Sequence, residues 1–381
     1  MSRIVVVGLG YVGCANAIVL ARCHDVAVHD LDVSRVEALV CGRSPTFDPM
    51  APSALEETIP MVAFDNYQDA EWIVVCVPTD PKEDGTCIDT SIVESVLEEI
   101  SKSGTSARVI IKSTVPIGFT KRMTERHEDL EIGFSPEFLR EGSAVEDCLA
   151  PSRIVIGGNS EIAKFVDVVS PCLEVETPVV FMGTTEAEAV KMFSNAYLAT
   201  RVAFFNELDT YSMQEGLDAH DVIRGVCLDE RIGDGYNNPS FGFGGYCLPK
   251  DTSQLASTIK GDNLFSAVKR SNAKRTQDIA DAILARSTGV IGMFGISSKI
   301  GAPGTRESSS VKLMGVLTGA GATVVVFEPT LDDQESIRGC RIVSDVEEFK
   351  RISSIIVANR NDERLSDVRR KVFSRDLFGC N

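Results

Sequence analysis

Tryptophan occurs once in this 381-residue chain, histidine four times, and aromatic residues make up only 7%. Histidine-based metal centres are therefore hard to assemble. The eleven cysteines do not fill the gap, because no two of them stand in Cys-x-x-Cys spacing. Their odd number and their scatter from Cys14 to Cys380 also argue against a disulfide framework. Reduced thiols are expected, most of them buried as small hydrophobes. Long apolar runs are missing too. Ile4 to Val7 and Trp72 to Val77 are short and flanked by charge, far below the ~20 residues of a membrane span. Positive charge is in deficit: 38 Lys and Arg against 55 Asp and Glu leave a net −17. A surface of that sign repels nucleic acid and anionic lipid, so neither is an expected partner, while a small anion in a locally basic pocket stays possible. Ser2-Arg3 leads at once into a strand-like run with no cleavage site, so a cytoplasmic protein is the expectation.

What is present is ordinary for a globular protein: 44% hydrophobic and 24% charged residues. At roughly 150 residues per domain, the length suggests two or three domains. Over the first 180 residues, short apolar runs alternate with helix-like stretches. Ile4–Val7, Val26–His29, Trp72–Val77, Arg108–Lys112 and Arg153–Ile156 read as strands. Helices are expected at Tyr11 to about Cys23, Asp89–Lys102 and Ile117–Arg126. This alternation predicts a parallel, doubly wound sheet. From Glu186 to about Gln214 there is no Pro or Gly, and Val190, Phe193, Tyr197, Val202, Phe204 and Phe205 fall at helical spacing. One long amphipathic helix follows, suited to a spine between domains or to a dimer interface. Gly233–Gly245 reads as a loop. Val290–Gly295, Thr323–Phe327 and Ile355–Ala358 read as strands of another α/β lobe. The expected domains are 1–183, 184–286 and 287–381.

Gly8-Leu9-Gly10-Tyr11-Val12-Gly13 is Gly-x-Gly-x-x-Gly, placed after a strand and opening a helix. Gly8 permits the tight turn, Gly10 lets backbone approach a pyrophosphate at the helix N-terminus, and Gly13 allows close helix–strand packing. Asp30 lies 22 residues after Gly8 at the end of the second strand. A carboxylate there accepts from ribose hydroxyls and repels a 2′-phosphate, which selects NAD over NADP. The fold expected is thus α/β, with two Rossmann-like doubly wound domains joined by a long central helix.

The segment from Tyr236 to Asp251 (YNNPSFGFGGYCLPKD) sets Cys247 just after a glycine cluster and Asp251 one helical turn further on. A thiolate beside a nicotinamide cofactor suggests covalent catalysis on an aldehyde: the sulfur adds to the carbonyl, and the adduct gives up a hydride.

With these motifs the chain resembles the UDP-glucose/GDP-mannose dehydrogenase family. The resemblance spans nearly the whole sequence, through Gly8–Gly13, Val77-Pro78-Thr79, Lys112–Pro116, Ser135–Gly142, Glu186–Lys191, Asn206-Glu207-Leu208, the cysteine loop and Gly304–Ser309. Tyr236–Pro239 and the ending Ser374–Gly379 are similar to the short bacterial members acting on UDP-glucose. The resemblance implies a four-electron oxidation of the C6 alcohol of a nucleotide sugar to a carboxylate, using two NAD and one water. UDP-glucose is the substrate it implies first, with UDP-N-acetyl-mannosamine, UDP-N-acetyl-glucosamine and GDP-mannose as rivals. A simple two-electron dehydrogenase of the β-hydroxyacid type would need neither Cys247 nor Glu137. A nucleotide-sugar sensor would need none of the catalytic set.

The same resemblance implies the roles. Cys247 is the nucleophile. Lys191 and Asn195, four apart on one helix face, stabilise an oxyanion at C6. Asp251 holds a water that accepts the alcohol proton, or orients Lys191. Thr114 positions that water, and Glu137 activates water for thioester hydrolysis. Gly8, Gly10, Tyr11, Val12, Gly13, Asp30, Thr79, Thr114 and Arg306 belong to the cofactor side. Phe138, Leu139, Arg140 and Glu141 line the sugar, with Lys191, Asn195 and Gly244. Tyr236 and Asn237 line the uridine end. Lys299 and Arg360 meet the diphosphate, and Arg231 acts across the interface of a homodimer. Two departures stand out. Gly295–Ser298 replaces a more basic or aromatic segment, and Asp80 follows Pro78-Thr79 where Asn is common. No metal is implied.

Overall fold

The structure, a computed structural model, describes residues 1–82, 85, 87–296, 308–331 and 334–379. The chain divides into two compact units, Met1–Ser194 and Asn195–Asn381.

The first unit is built on β1 (Arg3–Val7), β2 (Asp25–His29), β3 (Val62–Ala63), β4 (Trp72–Val75), β5 (Arg108–Ile111), β6 (Glu131–Phe134), β7 (Ile154–Gly157) and β8 (Val179–Met182). They form one sheet in the order β3-β2-β1-β4-β5-β6-β7-β8. Side chains alternate across it, as the pleat requires. Ile4, Val6, Trp72 and Val74 enter one core with Ile18, Leu20 and Phe165 of the helices. Val5, Val7, Ile73 and Val75 enter a second core with Phe119 and Phe134 on the opposite face. Two cores on one sheet are the signature of double winding. Pairing is parallel with one exception: β6 and β7 run antiparallel, through Phe134 and Gly157. The order reverses between β2 and β4, around β1, so the C-terminal ends of β1 and β4 border a crevice.

The second unit carries β9 (Ile291–Phe294), β10 (Val324–Phe327), β11 (Ser336–Ile337), β12 (Cys340–Ile342), β13 (Ile355–Ala358) and β14 (Val372–Phe373). Their order is β11-β12-β10-β9-β13-β14, parallel except at the β11–β12 hairpin. Alternation again splits the strands between two cores. Met293, Val326 and Val357 face one, and Phe294, Val325, Phe327 and Ile356 face the other. Helices Cys247–Thr258 and Leu264–Leu284 precede this sheet.

The expected long helix is present as Thr184–Glu215, 32 residues, about 48 Å at 1.5 Å per residue. The division between the units falls inside it, after Ser194. Most expected strands are found within two residues of their predicted ends. Strand β6 was not foreseen, because Glu131-Ile132-Gly133-Phe134 has one charge and one glycine in four residues. Nor was β8, an edge strand that leaves Val180 and Phe181 half exposed.

Candidate active site

In the first unit, β1 ends at the glycine turn. Gly8 has φ +90°, and a Cβ there would lie 2.8 Å from the Cys76 carbonyl and the Val77 nitrogen, so the turn tolerates only glycine. A Cβ on Gly13 would sit 1.7 Å from the Gly8 oxygen. Gly10 differs, since nothing lies within 4 Å of its would-be Cβ. It caps helix Tyr11–Leu20 without a side-chain hydrogen bond, which leaves the first amides of that helix to a ligand. Asp30 closes the cradle. Its Oδ2 accepts from Leu9 N at 2.6 Å and its Oδ1 from Asp32 N at 2.8 Å. Each oxygen keeps a further lone pair for a ribose hydroxyl. Arg35 stands beside this carboxylate, 4.0 Å from Asp30 and 3.4 Å from Asp32. An open glycine, bare helix amides and an acid at the second strand fit a dinucleotide. Tyr11 begins the helix, and burial with the nearby Glu141 and Asp48 charges raises its phenol above the ordinary range. Thr79 is buried, and Thr114 follows β5 within the Lys112-Ser113-Thr114 turn.

The Pro136-Glu137 pair, which could have been a surface turn, is instead drawn inward, with Pro136 buried and the Glu137 side chain 13% exposed. Glu137 Oε2 accepts from Lys112 Nζ at 3.1 Å and from Asn16 Nδ2 at 3.0 Å. Lys191 Nζ donates to the backbone oxygen of Glu137. Burial pushes the Glu137 carboxyl up, but Lys112, the Asn16 hydrogen bond and Lys191 outweigh it and hold it below the usual range. Burial opposes the Lys112 charge, but Glu137, through its charge and its hydrogen bond, outweighs it, and the ammonium is held above its ordinary value. Burial pushes Cys76 up to about 12 and Cys148 well above the ordinary thiol, so both stay neutral. Phe138 lies between the Arg153 guanidinium, 3.8 Å from its ring centre, and Lys191 Nζ at 5.4 Å. Arg140 turns onto Asp147, with Nη2 to Oδ1 at 2.8 Å and Nε to Oδ2 at 3.1 Å. Leu139 packs against the core.

In the second unit, Cys247 is exposed and is the first residue of helix Cys247–Thr258. Free amides and the positive end of the helix dipole meet the sulfur there, which favours negative charge on it or on an oxygen bonded beside it. Asp251, one turn later, is fully buried. It accepts from Lys250 Nζ at 2.9 Å and from Asn195 Nδ2 at 2.6 Å. The loop before Cys247 is pinned along its length. Ser240 N reaches Asn206 Oδ1 at 2.9 Å, Phe241 N reaches Asn359 Oδ1 at 3.1 Å, and Phe243 N reaches Asn272 Oδ1 at 2.8 Å. Gly244, half-buried like Gly245 beside it, stands three residues before the cysteine. Arg360 Nη1 donates to Pro239 O at 3.2 Å. Tyr236, at φ +54°, and Asn237 line a cavity of about 500 Å³ with His220, Arg224, Asn238 and Phe378. Arg231 is largely exposed and pairs with Asp229 at 2.6 Å. Lys299 and Arg306 lie outside the described residues.

Among the polar residues of these clusters that were not foreseen are Asn16, Lys112, Lys250, Asn272 and Asn359. Two had a readable signal. Lys112 is a charge at the C-terminal end of a buried strand run, and Asn16 is a lone amide within Cys14-Ala15-Asn16-Ala17-Ile18.

A doubly wound sheet with this glycine cradle, uncapped helix and ribose-facing acid defines a dinucleotide-binding protein of the dehydrogenase class. Residues 2–170 match the NAD binding domain of the UDP-glucose/GDP-mannose dehydrogenase family, and residues 185–274 match the family's central domain. The UDP-glucose 6-dehydrogenase of Streptococcus pneumoniae is 40% identical over 99% of both chains. That of Campylobacter jejuni subsp. jejuni serotype O:2 is 37% identical over 99% of both. The solved structure of a UDP-glucose dehydrogenase from the archaeon Pyrobaculum islandicum superposes with a TM-score of 0.84 at 29% identity, covering 94% of this chain and 90% of that one. The chain belongs to the UDP-glucose/GDP-mannose dehydrogenase family, and it is an NAD-dependent oxidoreductase.

Proposed function

We propose that the chain oxidises UDP-glucose to UDP-glucuronate, four electrons in all, through a covalent adduct on Cys247. The observation that carries this reading is an exposed thiol on the first turn of a helix, four residues before a buried aspartate that is itself anchored. A two-electron alcohol dehydrogenase has no use for such a thiol. The identity to the pneumococcal enzyme over the full chain favours UDP-glucose among the nucleotide sugars. When bound in the Gly8–Gly13 cradle, the dinucleotide accepts a hydride. The chain's own residues then divide the remaining work. Cys247 carries C6 first as the sulfur adduct of the aldehyde and then as a thioester. Lys191 and Asn195 stabilise the oxyanion. Asp251 receives the alcohol proton through water, and Thr114 helps position that water. Glu137 activates the water that releases the carboxylate.

Three parts follow in function: 1–183 for the cofactor, 184–286 for the cysteine loop and dimerisation, and 287–381 for the nucleotide. Tyr236, Asn237, Lys299 and Arg360 hold the nucleotide end, while Phe138, Leu139, Arg140, Glu141 and Gly244 hold the sugar. Arg306 serves the cofactor side. Among the described residues no helix is long and apolar enough to cross a membrane, and with the acidic charge a cytoplasmic protein is the reading.

The test is the amount of NADH formed per UDP-glucose consumed at saturating NAD. A ratio of two with a carboxylate product is expected, and Cys247→Ser should stall the reaction. A ratio of one would sink the four-electron route. Turnover only with GDP-mannose or an N-acetyl sugar nucleotide would move the substrate and keep the chemistry.

A further inference from the structure

Glu137 is held unevenly. Both strong donors, Lys112 Nζ at 3.1 Å and Asn16 Nδ2 at 3.0 Å, fall on Oε2. Asn16 is itself fixed, because its amide also donates to Val12 O at 2.9 Å within the cofactor helix. Oε1 meets the Phe138 amide at 3.3 Å, a long contact. Lys112 is buried to 8% exposure just after β5, and an ammonium is not placed there without a partner that offsets its lost hydration. We propose that Lys112 is a positioning residue for release of the acyl group: it fixes Oε2 of Glu137 and leaves Oε1 to take the proton of the attacking water.

The step is a hydrolysis with no change of oxidation state. Water oxygen bonds to the thioester carbon while its proton passes to Oε1. The carbon–sulfur bond then breaks with its electron pair going to Cys247, and the product acid ionises to solvent. Lys112 also governs the charge of the base. The groups facing Glu137 are Lys112 after β5, Lys191 on the long helix, Cys148 on helix Ala144–Leu149, Cys76 after β4, and the neutral amide of Asn16. The two thiols are neutral, so the charges acting on Glu137 are those of Lys112 and Lys191, and Lys112 is the one paired with its carboxylate, at 3.1 Å. Without it, burial would dominate and the carboxyl would protonate closer to neutral pH.

The inference rests on the role given to Glu137 under the proposed function, so the experiment separates the two. Acyl-enzyme is trapped by acid quench during turnover of UDP-glucose and read by intact mass, for Glu137→Gln, Lys112→Met, Lys112→Arg and Asn16→Ala. Glu137→Gln should accumulate adduct; if it does not, the role of Glu137 fails and takes this inference with it. With that control met, Lys112→Met should accumulate adduct, lower kcat about 100-fold and move the acid limb of the kcat profile upward by at least one pH unit. KM for UDP-glucose should stay within about threefold. Lys112→Arg should restore most of the rate and the original limb. Asn16→Ala, which keeps the charge but removes one hydrogen bond to Oε2, should slow release and move the limb upward by less than Lys112→Met does. Lys112→Met with no adduct and an unmoved limb overturns the proposal. If Lys112→Met does not fold, the absence of adduct in Asn16→Ala overturns the proposal equally.

Discussion

Asp251 has no exposure to solvent, and each of its oxygens is taken, one by Lys250 and one by Asn195. Lys250 is almost as deeply buried. Two charges so placed stand or fall together, since removing one leaves the other desolvated and unpaired. Lys250→Met is therefore expected to lower stability by about 3–5 kcal/mol in urea unfolding. Cys247→Ser, on the exposed sulfur one turn away, should cost less than ~1 kcal/mol. Equal losses would contradict this account of the pair. The Lys112–Glu137 pair gives a second residue-scale test, through pH. Glu137 is held low and Lys112 high. The carboxylate's contribution to stability is thus present above its unfolded range and lost as pH falls through the lowered value. In Lys112→Met the sign reverses. The buried carboxyl is then raised, its charge is a penalty, and stability should increase as pH falls from 7 toward 5, where the wild type holds level. A variant that loses stability over that interval would show that burial does not dominate once the lysine is gone. Cys247 and Asp251 could be singled out in the sequence, from the glycine cluster, the four-residue spacing and the family resemblance together. Lys112 and Asn16 were not singled out, because the partner they share, Glu137, lies 25 and 121 positions away in the sequence.

At the scale of elements, the glycines of the first turn separate two jobs that the motif runs together. Gly13 faces backbone, where an added methyl would stand 1.7 Å from an oxygen. Gly10 faces open space. Gly13→Ala is expected to force helix from strand, lowering both the melting temperature and NAD binding. Gly10→Ala should leave melting within about 2 °C, since a cap glycine is worth only a few tenths of a kcal/mol over most substitutes. It should still weaken NAD at least ~10-fold, because the methyl occupies the approach of the pyrophosphate. Calorimetric titration with NAD beside thermal melts decides it, and Gly10→Ala with unchanged NAD affinity would move the cofactor away from this turn. The elements also hold a repeat that the residues conceal. In the first unit, Gly8 N donates to His29 O, Leu9 N to Asp30, and Asp30 accepts again from Asp32 N. In the second, Gly295 N donates to Phe327 O, Ile296 N to Glu328 Oε2, and Glu328 accepts again from Thr330 N. Both glycines have positive φ. Strand, left-handed glycine, and an acid closing the turn recur in each α/β lobe, with Val7-Gly8-Leu9 in one and Phe294-Gly295-Ile296 in the other. Three residues and one distant carboxylate are too little for a sequence comparison to find, while hydrogen bonding preserves them.

At the scale of the whole molecule, the long helix exposes Phe193, Tyr197, Phe204 and Tyr211, each between 44% and 61% accessible. The last three stand seven residues apart, on one stripe of the helix. Their spacing was readable in the sequence, but their exposure was not, since the same stripe could have served as core. A soluble monomer with a net charge of −17 has little reason to present four large rings in line, whereas a twofold contact buries such a stripe against its own copy. We propose a homodimer on this face, with Arg231 serving the neighbouring subunit's nucleotide site. Arg231 suits that work: its side chain is 89% exposed and tied only to its own loop through Asp229 among the contacts described. Light scattering should give twice the chain mass, and Phe204→Glu with Tyr211→Glu should give a monomer without activity. A sharper measurement uses two dead enzymes. Arg231→Ala and Cys247→Ser homodimers, mixed and allowed to exchange subunits, form a heterodimer. In one of its two sites the intact cysteine would meet the intact arginine of the other chain. Recovery toward a quarter of wild-type activity is expected from an equal mixture, since half the molecules are mixed and each has one whole site. No recovery, with exchange verified by mass, would place Arg231 in the site of its own chain and leave the aromatic stripe as the remaining argument for the proposed dimer.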